Sequence, residues 1–141
     1  MILFIDDERR VMDSYRNYLE LKLSPEGYDV VFLDKIDQAL DFLEDCADEI
    51  DLIILDVMMP SGTKLDRKQT SDGLMTGVVF YDLTRRKLPT LPILVFTNYS
   101  DEDLKKRLKN DSNCRFLQKT DYLLEDFLCE VRDMLVLSKS D

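Results

Sequence analysis

The stretch that most constrains the fold is LIILDVMMP, which runs from Leu52 to Pro60. Its first four residues are apolar and lead without a polar interruption into an acid, Asp56. Such a run is typical of a strand that is buried on both faces, as in the centre of a parallel sheet. Asp56 then lies at the carboxyl end of the strand, where open α/β sheets bind their ligands. The segment Ile2–Ile5 repeats this pattern and ends in three acids, Asp6–Glu8.

Apolar runs of strand length alternate with helical patterns along the chain. The predicted strands are Ile2–Ile5, Val30–Leu33, Leu52–Leu55, Ile93–Thr97 and Cys114–Gln118. The predicted helices are Arg10–Leu23, Asp37–Asp48, Gly73–Leu83, a segment capped by Ser100, and Leu123–Leu137. Five strands, each followed by a helix, predict an α/β fold. We expect a five-stranded parallel sheet, doubly wound and flavodoxin-like, (βα)5, with strand order 2-1-3-4-5. That order brings the acids after the first and third strands together at one edge.

The length and pattern of the sequence predict a single domain over residues 1–141, without a linker, an internal repeat or an output domain. Between the third strand and the third helix, residues 61–72 are polar and show no periodicity. We expect this segment to be an inserted loop, because it is long for a strand-to-helix connection. The last residues, Ser138–Asp141, are predicted to be a tail.

The composition excludes several classes of function. A net charge of −10 argues against direct binding of nucleic acid or of an anionic membrane, because phosphate groups would repel the chain. The absence of histidine excludes Ser-His and Cys-His catalytic pairs and His-ligated metals. Cys46, Cys114 and Cys129 lack metal-site spacing and fit thiols in a reducing compartment. Because a strand begins at Ile2 and no apolar stretch has membrane-spanning length, we expect a cytoplasmic protein with no membrane partner.

Acids at the ends of two neighbouring strands indicate a site for a hard cation. Carboxylates that lie so close raise one another's pKa unless a cation binds them. Ligands that are all oxygen suit Mg²⁺, or Mn²⁺ in its place. A carboxylate beside Mg²⁺ can attack phosphorus and form an acyl phosphate. Thr97 and Lys119 follow at the ends of the fourth and fifth strands, where a hydroxyl and a mobile positive charge suit phosphoryl oxygens.

The whole chain resembles the response-regulator receiver domains of two-component signalling, in particular single-domain regulators of the chemotaxis type. The motifs that carry the resemblance are Ile5–Glu8, Leu55–Pro60, Asp72-Gly73, Phe96-Thr97 and Phe116–Lys119. The resemblance implies that Asp56 accepts a phosphoryl group from a sensor histidine kinase or a phosphotransfer protein. It also implies a regulatory phosphoacceptor, not an enzyme, since such a domain catalyses only its own phosphorylation and dephosphorylation.

The same resemblance implies which groups hold the metal. Asp7, Asp56 and the backbone carbonyl of Met58 would ligate Mg²⁺ directly. Asp6 would act through water. This ligand set is carried over from the family onto the matching positions of the sequence.

Three further residues receive roles from the resemblance. Thr97 and Lys119 would bind the phosphoryl oxygens, and Phe116 would act as the aromatic switch that turns inward when Thr97 moves. Phosphorylation would then alter the surface formed by the fourth helix, the fifth strand and the fifth helix. That surface would bind a downstream effector protein or a second copy of the chain.

The sequence departs from the family in three places. Lys119 precedes Thr120 where the family usually has proline, which bears on the placement of the lysine. Asn98 replaces a small residue and would narrow access for a phosphoryl group. The connection Ser61–Ser71 is longer than usual, and it is either a solvated insertion or a segment that shields the site or docks a partner.

Met58 and Tyr99 each lie two positions after a site residue and resemble family positions that tune dephosphorylation. A bulky pair there would hinder an attacking water. The pair therefore predicts a slowly decaying phosphoaspartate.

Two other functions are compatible with the residues. The first is a receiver-like binding module that signals without phosphorylation, which the Lys119-Thr120 departure favours. The second is a Mg²⁺-dependent phosphohydrolase acting through Asp56. The second alternative is the weaker one, because Asp56-Val57-Met58 does not supply the Asp-x-Asp of haloacid-dehalogenase enzymes.

Overall fold

The five strands have the bounds that the sequence predicts. The computed structural model describes residues 1–139, in which the strands are β1 (Ile2–Ile5), β2 (Val30–Leu33), β3 (Leu52–Leu55), β4 (Ile93–Thr97) and β5 (Cys114–Gln118). All four strand pairs are parallel, and the order across the sheet is β2-β1-β3-β4-β5. The predicted α/β fold and its strand order are confirmed.

Five helices cover the two faces of this sheet. They are α1 (Arg9–Leu23), α2 (Ile36–Asp45), α3 (Thr76–Lys87), α4 (Glu102–Lys109) and α5 (Leu124–Lys139). Helices α1 and α5 pack on one face, and α2, α3 and α4 pack on the other. No helix within residues 1–139 is long and apolar enough to cross a membrane.

The double covering explains why the central strands are apolar without a break. In β1, Leu3 and Ile5 join the core under α2, α3 and α4, whereas Ile2 and Phe4 join the core under α1 and α5. Side chains alternate along a strand, so both sets of positions must be apolar when both faces are covered. Each such side chain stabilises the fold by about 1.5–3 kcal/mol through burial. All residues of β1, β3 and β4 are buried.

The predicted start of α3 is wrong by three residues. The helix begins at Thr76 and not at Gly73, because Ser71, Asp72 and Gly73 have φ angles of 52°, 55° and 99°. These values lie in the left-handed region, which a right-handed helix cannot contain. The inserted connection therefore continues to Met75, and the helix ends at Lys87.

Other predicted helix ends also differ, and the starts of α1, α2 and α5 each move by one residue. Helix α4 is capped by Asp101 and not by Ser100, since the Asp101 side chain accepts a hydrogen bond from the Asp103 N–H. Helix α2 ends at Asp45 and is followed by a 3-10 turn over Ala47–Glu49. Helix α5 continues to Lys139, so Ser138 is helical and not part of a tail. The rest of the predicted tail, residues 140–141, lies outside the described residues.

Candidate functional site

The register of the sheet places the predicted site residues at one edge. Ile5 pairs with Leu55, so the next residues, Asp6 and Asp56, leave neighbouring strands at the same level. The Asp56 N–H donates a hydrogen bond to the Ile5 carbonyl at 3.0 Å, which fixes this level. Thr97 ends β4 opposite Gln118 of β5, and Lys119 follows directly. Four strand ends thus converge on one point.

The carboxylate of Asp56 lies at the centre of the cluster. Its Oδ1 accepts hydrogen bonds from the Thr97 hydroxyl at 2.6 Å and from the Val57 N–H at 2.9 Å. Its Oδ2 accepts one from Lys119 Nζ at 3.4 Å. Asp56 is only 4% exposed, so these contacts replace most of its hydration.

Lys119 links the two strand-end acids. Its Nζ lies 2.7 Å from Asp6 Oδ2, 3.4 Å from Asp56 Oδ2 and 3.6 Å from Glu8 Oε1. Burial disfavours the charge of this ammonium, but the neighbouring Asp6 and Asp56 outweigh that cost and raise the pKa of Lys119 above its usual value. Lys119 reaches this position although no peptide bond within residues 1–139 is cis.

Four acids, Asp6, Asp7, Glu8 and Asp56, each offer a carboxylate oxygen within 4.8 Å of the others. One ammonium cannot balance them. The buried Asp6 Oδ2 has an ion-pair contact with Lys119 Nζ at 2.7 Å and accepts no further hydrogen bond from the described residues. Four carboxylates that share one ammonium form an all-oxygen set with excess negative charge, which fits a hard divalent cation such as Mg²⁺.

Glu8 was not among the predicted ligands, and the structure brings it into the acid cluster. The Glu8 N–H donates a hydrogen bond to Asp6 Oδ1 at 2.9 Å, which turns the chain so that successive carboxylates face the same edge. Its position directly after Asp6 and Asp7 was the available signal. In the sequence, however, Glu8 looks the same as an ordinary acid that stabilises the start of a helix, here α1.

Burial and mutual repulsion both raise the pKa values of the acids in the cluster. Burial, followed by the charge of Asp6, raises the pKa of Asp56 from 3.8 to about 6. Burial also raises the pKa of Asp6, and burial together with the Asp6 charge raises that of Asp7. The cluster therefore stores unfavourable electrostatic energy, which a bound cation would relieve.

This shift predicts a pH-dependent gain in stability for Asp56→Asn. The folded carboxyl holds its proton up to a pKa of about 6, whereas the unfolded one loses it near 3.8. The stabilising contribution of Asp56 is thus present below pH 4 and is lost as the pH rises through 6. In metal-free buffer at pH 7.5, Asp56→Asn should raise the free energy of unfolding by on the order of 2 kcal/mol. Urea titrations from pH 4 to 8 measure this, with the exposed Asp48→Asn as control. A gain that does not shrink toward pH 4 would contradict it.

The backbone behind Asp56 packs against the first turn of α3. The Gly77 N–H donates a hydrogen bond to the Val57 carbonyl at 2.8 Å, and the buried Thr76 hydroxyl donates one to the Met59 carbonyl at 2.6 Å. A Cβ atom on Gly77 would lie 2.1 Å from the Asp56 carbonyl oxygen. Only glycine allows this approach. Sequence analysis did not single out this residue.

The remaining predicted residues surround this centre. Met58 is 43% exposed, and the hydroxyl of the half-buried Tyr99 donates a hydrogen bond to Asp101 at 3.4 Å. Phe116 is half-buried at the edge of the core beneath α4, with Lys105 Nζ 5.5 Å from its ring centroid. Asn98 is exposed, so its side chain does not fill the site.

The family model of the response regulator receiver domain matches residues 2–125. The chain belongs to this family. Receiver domains belong to two-component systems, and phosphorylation and Mg²⁺ binding are characteristic of them.

Curated relatives of this receiver domain include two regulators. The transcriptional regulatory protein CpxR of Escherichia coli K12 is 40% identical over 65 residues, which cover 46% of this chain and 25% of that protein. The response regulator SaeR of Staphylococcus epidermidis RP62A is 30% identical over 105 residues, which cover 74% of this chain and 43% of that protein. The chain thus spans less than half the length of either relative.

A solved structure supports the fold over almost the full length of the receiver domain. The CheY-like receiver domain protein from Methanospirillum hungatei JF-1 matches with a TM-score of 0.73 at 20% identity. The alignment covers 99% of this chain and 95% of that one. At this identity the match establishes the fold alone.

Proposed function

We propose that this receiver domain is a phosphorylation-controlled switch in which Asp56 accepts the phosphoryl group. The observation that carries the proposal is the buried Asp56 carboxylate, with Thr97 on one oxygen and Lys119 on the other, next to three further acids. An oxygen of Asp56 would form a bond to phosphorus as the P–N bond of the donor's phosphohistidine breaks. The nitrogen of the leaving imidazole keeps the electron pair.

The acid cluster would hold the metal that this transfer needs. Asp7, Asp56 and the Met58 carbonyl are the proposed direct ligands of Mg²⁺, or of Mn²⁺ in its place, and Asp6 is the proposed outer ligand through water. When bound, the cation neutralises charge on the acids and on the phosphoryl oxygens. Glu8, which shares the cluster, adds a further carboxylate close to Lys119.

Thr97 and Lys119 would exchange their present partners for the phosphoryl oxygens. The Thr97 hydroxyl donates to Asp56 Oδ1, and Lys119 Nζ lies near Asp56 Oδ2, so both donors need only small movements to reach a group attached to Asp56. Lys119 would supply a point charge and Thr97 a directed hydrogen bond. The domain would thereby promote its own phosphorylation and dephosphorylation and no other reaction.

The response to phosphorylation would pass through Phe116 to the surface of α4, β5 and α5. We propose that a downstream effector protein or a second copy of the chain binds this surface in the cytoplasm, and that a sensor histidine kinase or phosphotransfer protein supplies the phosphoryl group. Amide NMR spectra with Mg²⁺ and beryllofluoride, which mimics a phosphoryl group, test the switch. Signals of Thr97, Phe116 and α4 should shift in the wild type and not in Asp56→Asn. An unchanged α4 in the wild type would contradict the switch.

The side chains of Met58 and Tyr99 predict a slowly decaying phosphoaspartate. Met58 lines a groove together with Asp7, and the Tyr99 N–H donates a hydrogen bond to the Thr97 hydroxyl oxygen at 3.2 Å. From these positions both side chains would hinder a water molecule in line with the Asp56–phosphorus bond. Met58→Ala and Tyr99→Ala should each shorten the lifetime of the phosphorylated protein several-fold. Intact mass spectrometry after removal of the donor measures the decay. A lifetime of seconds in the purified wild type would contradict the prediction.

A further inference from the structure

The connection between β3 and α3 is held in place at its first half by α2. Asp37 accepts hydrogen bonds from the Thr63 N–H at 2.9 Å, the Thr63 hydroxyl at 2.8 Å and the Lys64 N–H at 3.1 Å. The same contacts lower the pKa of Asp37, with the Thr63 backbone hydrogen bond as the largest cause. The Lys64 ammonium forms an ion pair with Asp41. Residues 61–64 therefore have a defined position against α2.

The second half of the connection is fixed to the end of β3. The Met59 N–H donates a hydrogen bond to the Gly73 carbonyl at 3.1 Å. Thr70 is fully buried, and its carbonyl accepts hydrogen bonds from the N–H groups of Gly73 and Met75. The insertion is thus a folded loop that contains a buried residue, Thr70, and is not a fully solvated segment.

The folded loop forms one wall of a groove of about 700 Å³ whose other wall carries Asp7 of the acid cluster. Its lining includes Asp7, Met58, Arg67, Asp72 and Leu74. Arg67 is the only cation among these described lining residues. Met58 and Leu74 are 43% and 49% exposed, so the groove also presents apolar side chains to solvent.

A tight turn sets the position of Arg67. Its carbonyl accepts hydrogen bonds from the Asp72 N–H at 2.9 Å and from the Thr70 hydroxyl at 3.2 Å. Its side chain is 80% exposed, and Nε lies 3.6 Å from Asp72 Oδ1. A guanidinium carries five N–H donors in a planar fork that matches phosphoryl oxygens, and one long contact leaves most of them for another anion.

We propose that Arg67 binds the phosphoryl anion of the incoming donor in this groove, while Met58 and Leu74 contact the apolar part of the donor. The proposal rests on the proposed phosphoacceptor function of Asp56. A chain of net charge −10 repels anionic donors, and a cation at the entrance offsets that repulsion locally. The shared chemistry is a phosphoryl group on a leaving group, whether a small acyl phosphate or a phosphohistidine.

The first test measures the rate of phosphorylation against donor concentration. Arg67→Ala should raise the half-saturating concentration of acetyl phosphate by about threefold, as expected for one exposed charge contact, and leave the maximal rate unchanged. Arg67→Lys should recover part of the loss. Lys68→Ala, which removes a neighbouring exposed charge that does not line the groove, should match the wild type. No effect of Arg67→Ala, or an equal effect of Lys68→Ala, would overturn the proposal.

The same rate measurement is repeated with phosphoramidate, a donor that has the P–N bond of phosphohistidine. If Arg67→Ala raises the half-saturating concentration of both donors, Arg67 recognises the phosphoryl group whichever leaving group carries it. A shift for acetyl phosphate alone supports a site for acyl phosphates.

A binding measurement separates this proposal from the function on which it rests. In Asp56→Asn, which cannot form the acyl phosphate, acetylphosphonate should still shift the side-chain Nε–Hε NMR signal of Arg67. If the wild type is never phosphorylated but this signal shifts, the phosphoacceptor proposal fails and the anion site stands. If the wild type is phosphorylated and the signal does not move, the role of Arg67 is overturned and the phosphoacceptor function stands.

Discussion

Gly77→Ala should destabilise the domain by about 3 kcal/mol and abolish phosphorylation at Asp56. The added Cβ would lie 2.1 Å from the Asp56 carbonyl oxygen and 2.7 Å from Val57 Cα. Both are backbone atoms of the two residues that follow β3, so no side-chain rotation relieves the overlap. Either α3 moves outward or the Asp56 backbone moves, and the second change displaces the carboxylate from Thr97. Chemical unfolding and mass spectrometry of the phosphorylated protein measure the two effects.

Gly27→Ala is the matched control for this prediction. Gly27 has a φ of 92°, and a Cβ atom there would meet no heavy atom within 4 Å. Alanine at that position therefore costs only the backbone strain of the left-handed region, about 1 kcal/mol, and should leave phosphorylation intact. A Gly77→Ala protein that is as stable as Gly27→Ala would contradict the prediction, because the overlap with the Asp56 backbone would then cost only about 1 kcal/mol.

Lys119→Met should reduce the rate of phosphoryl uptake by at least about 100-fold, the scale expected for one charged donor at the reacting oxygens. Methionine keeps an unbranched side chain out to the ε position and removes the ammonium that lies 2.7 Å from Asp6 and 3.4 Å from Asp56. In metal-free buffer at neutral pH, the two buried carboxylates lose their partner, which should cost about 3 kcal/mol of stability. Mg²⁺ affinity should rise, because the competing cation is gone.

Isothermal titration with Mg²⁺ and the rate of acetyl phosphate uptake together test this account of Lys119. Lys109→Met removes an exposed ammonium from the end of α4 and should change neither quantity. A Lys119→Met protein that takes up phosphoryl groups at the wild-type rate would contradict the role of the lysine. Weaker Mg²⁺ binding would contradict its role as a competitor for the acids.

The strands could be predicted because their burial leaves a direct mark on the sequence. Leu52–Leu55 and Ile2–Ile5 are covered by helices on both faces, so every position must be apolar whichever side chains pack against it. Alternation of strands and helices predicts a doubly wound sheet. Of the strand orders in that class, 2-1-3-4-5 is the one that brings Asp6, Asp56, Thr97 and Lys119 to one edge. These parts of the candidate site require no knowledge of side-chain packing.

The parts that sequence analysis missed depend on three-dimensional contacts. In α1, Val11 and Leu19 share a stripe at helical spacing, but Val11 is 60% exposed, whereas Leu19 and Met12 are buried. A stripe on a helix fixes its period and leaves its rotation to tertiary packing. Gly77 carries no local turn signal, because its role is a close approach to another segment. The folded insertion depends on Asp37, which lies on a different helix.

The central claim is that Asp56 accepts a phosphoryl group with the help of a divalent cation. The most direct measurement is the intact mass of the wild type and of Asp56→Asn after incubation with acetyl phosphate and Mg²⁺. We expect one added phosphoryl group on the wild type, and none when Mg²⁺ is chelated or Asp56 is replaced. A wild-type mass that stays unchanged while Mg²⁺ binding is detectable would contradict the claim, and it would favour a module that signals without phosphorylation.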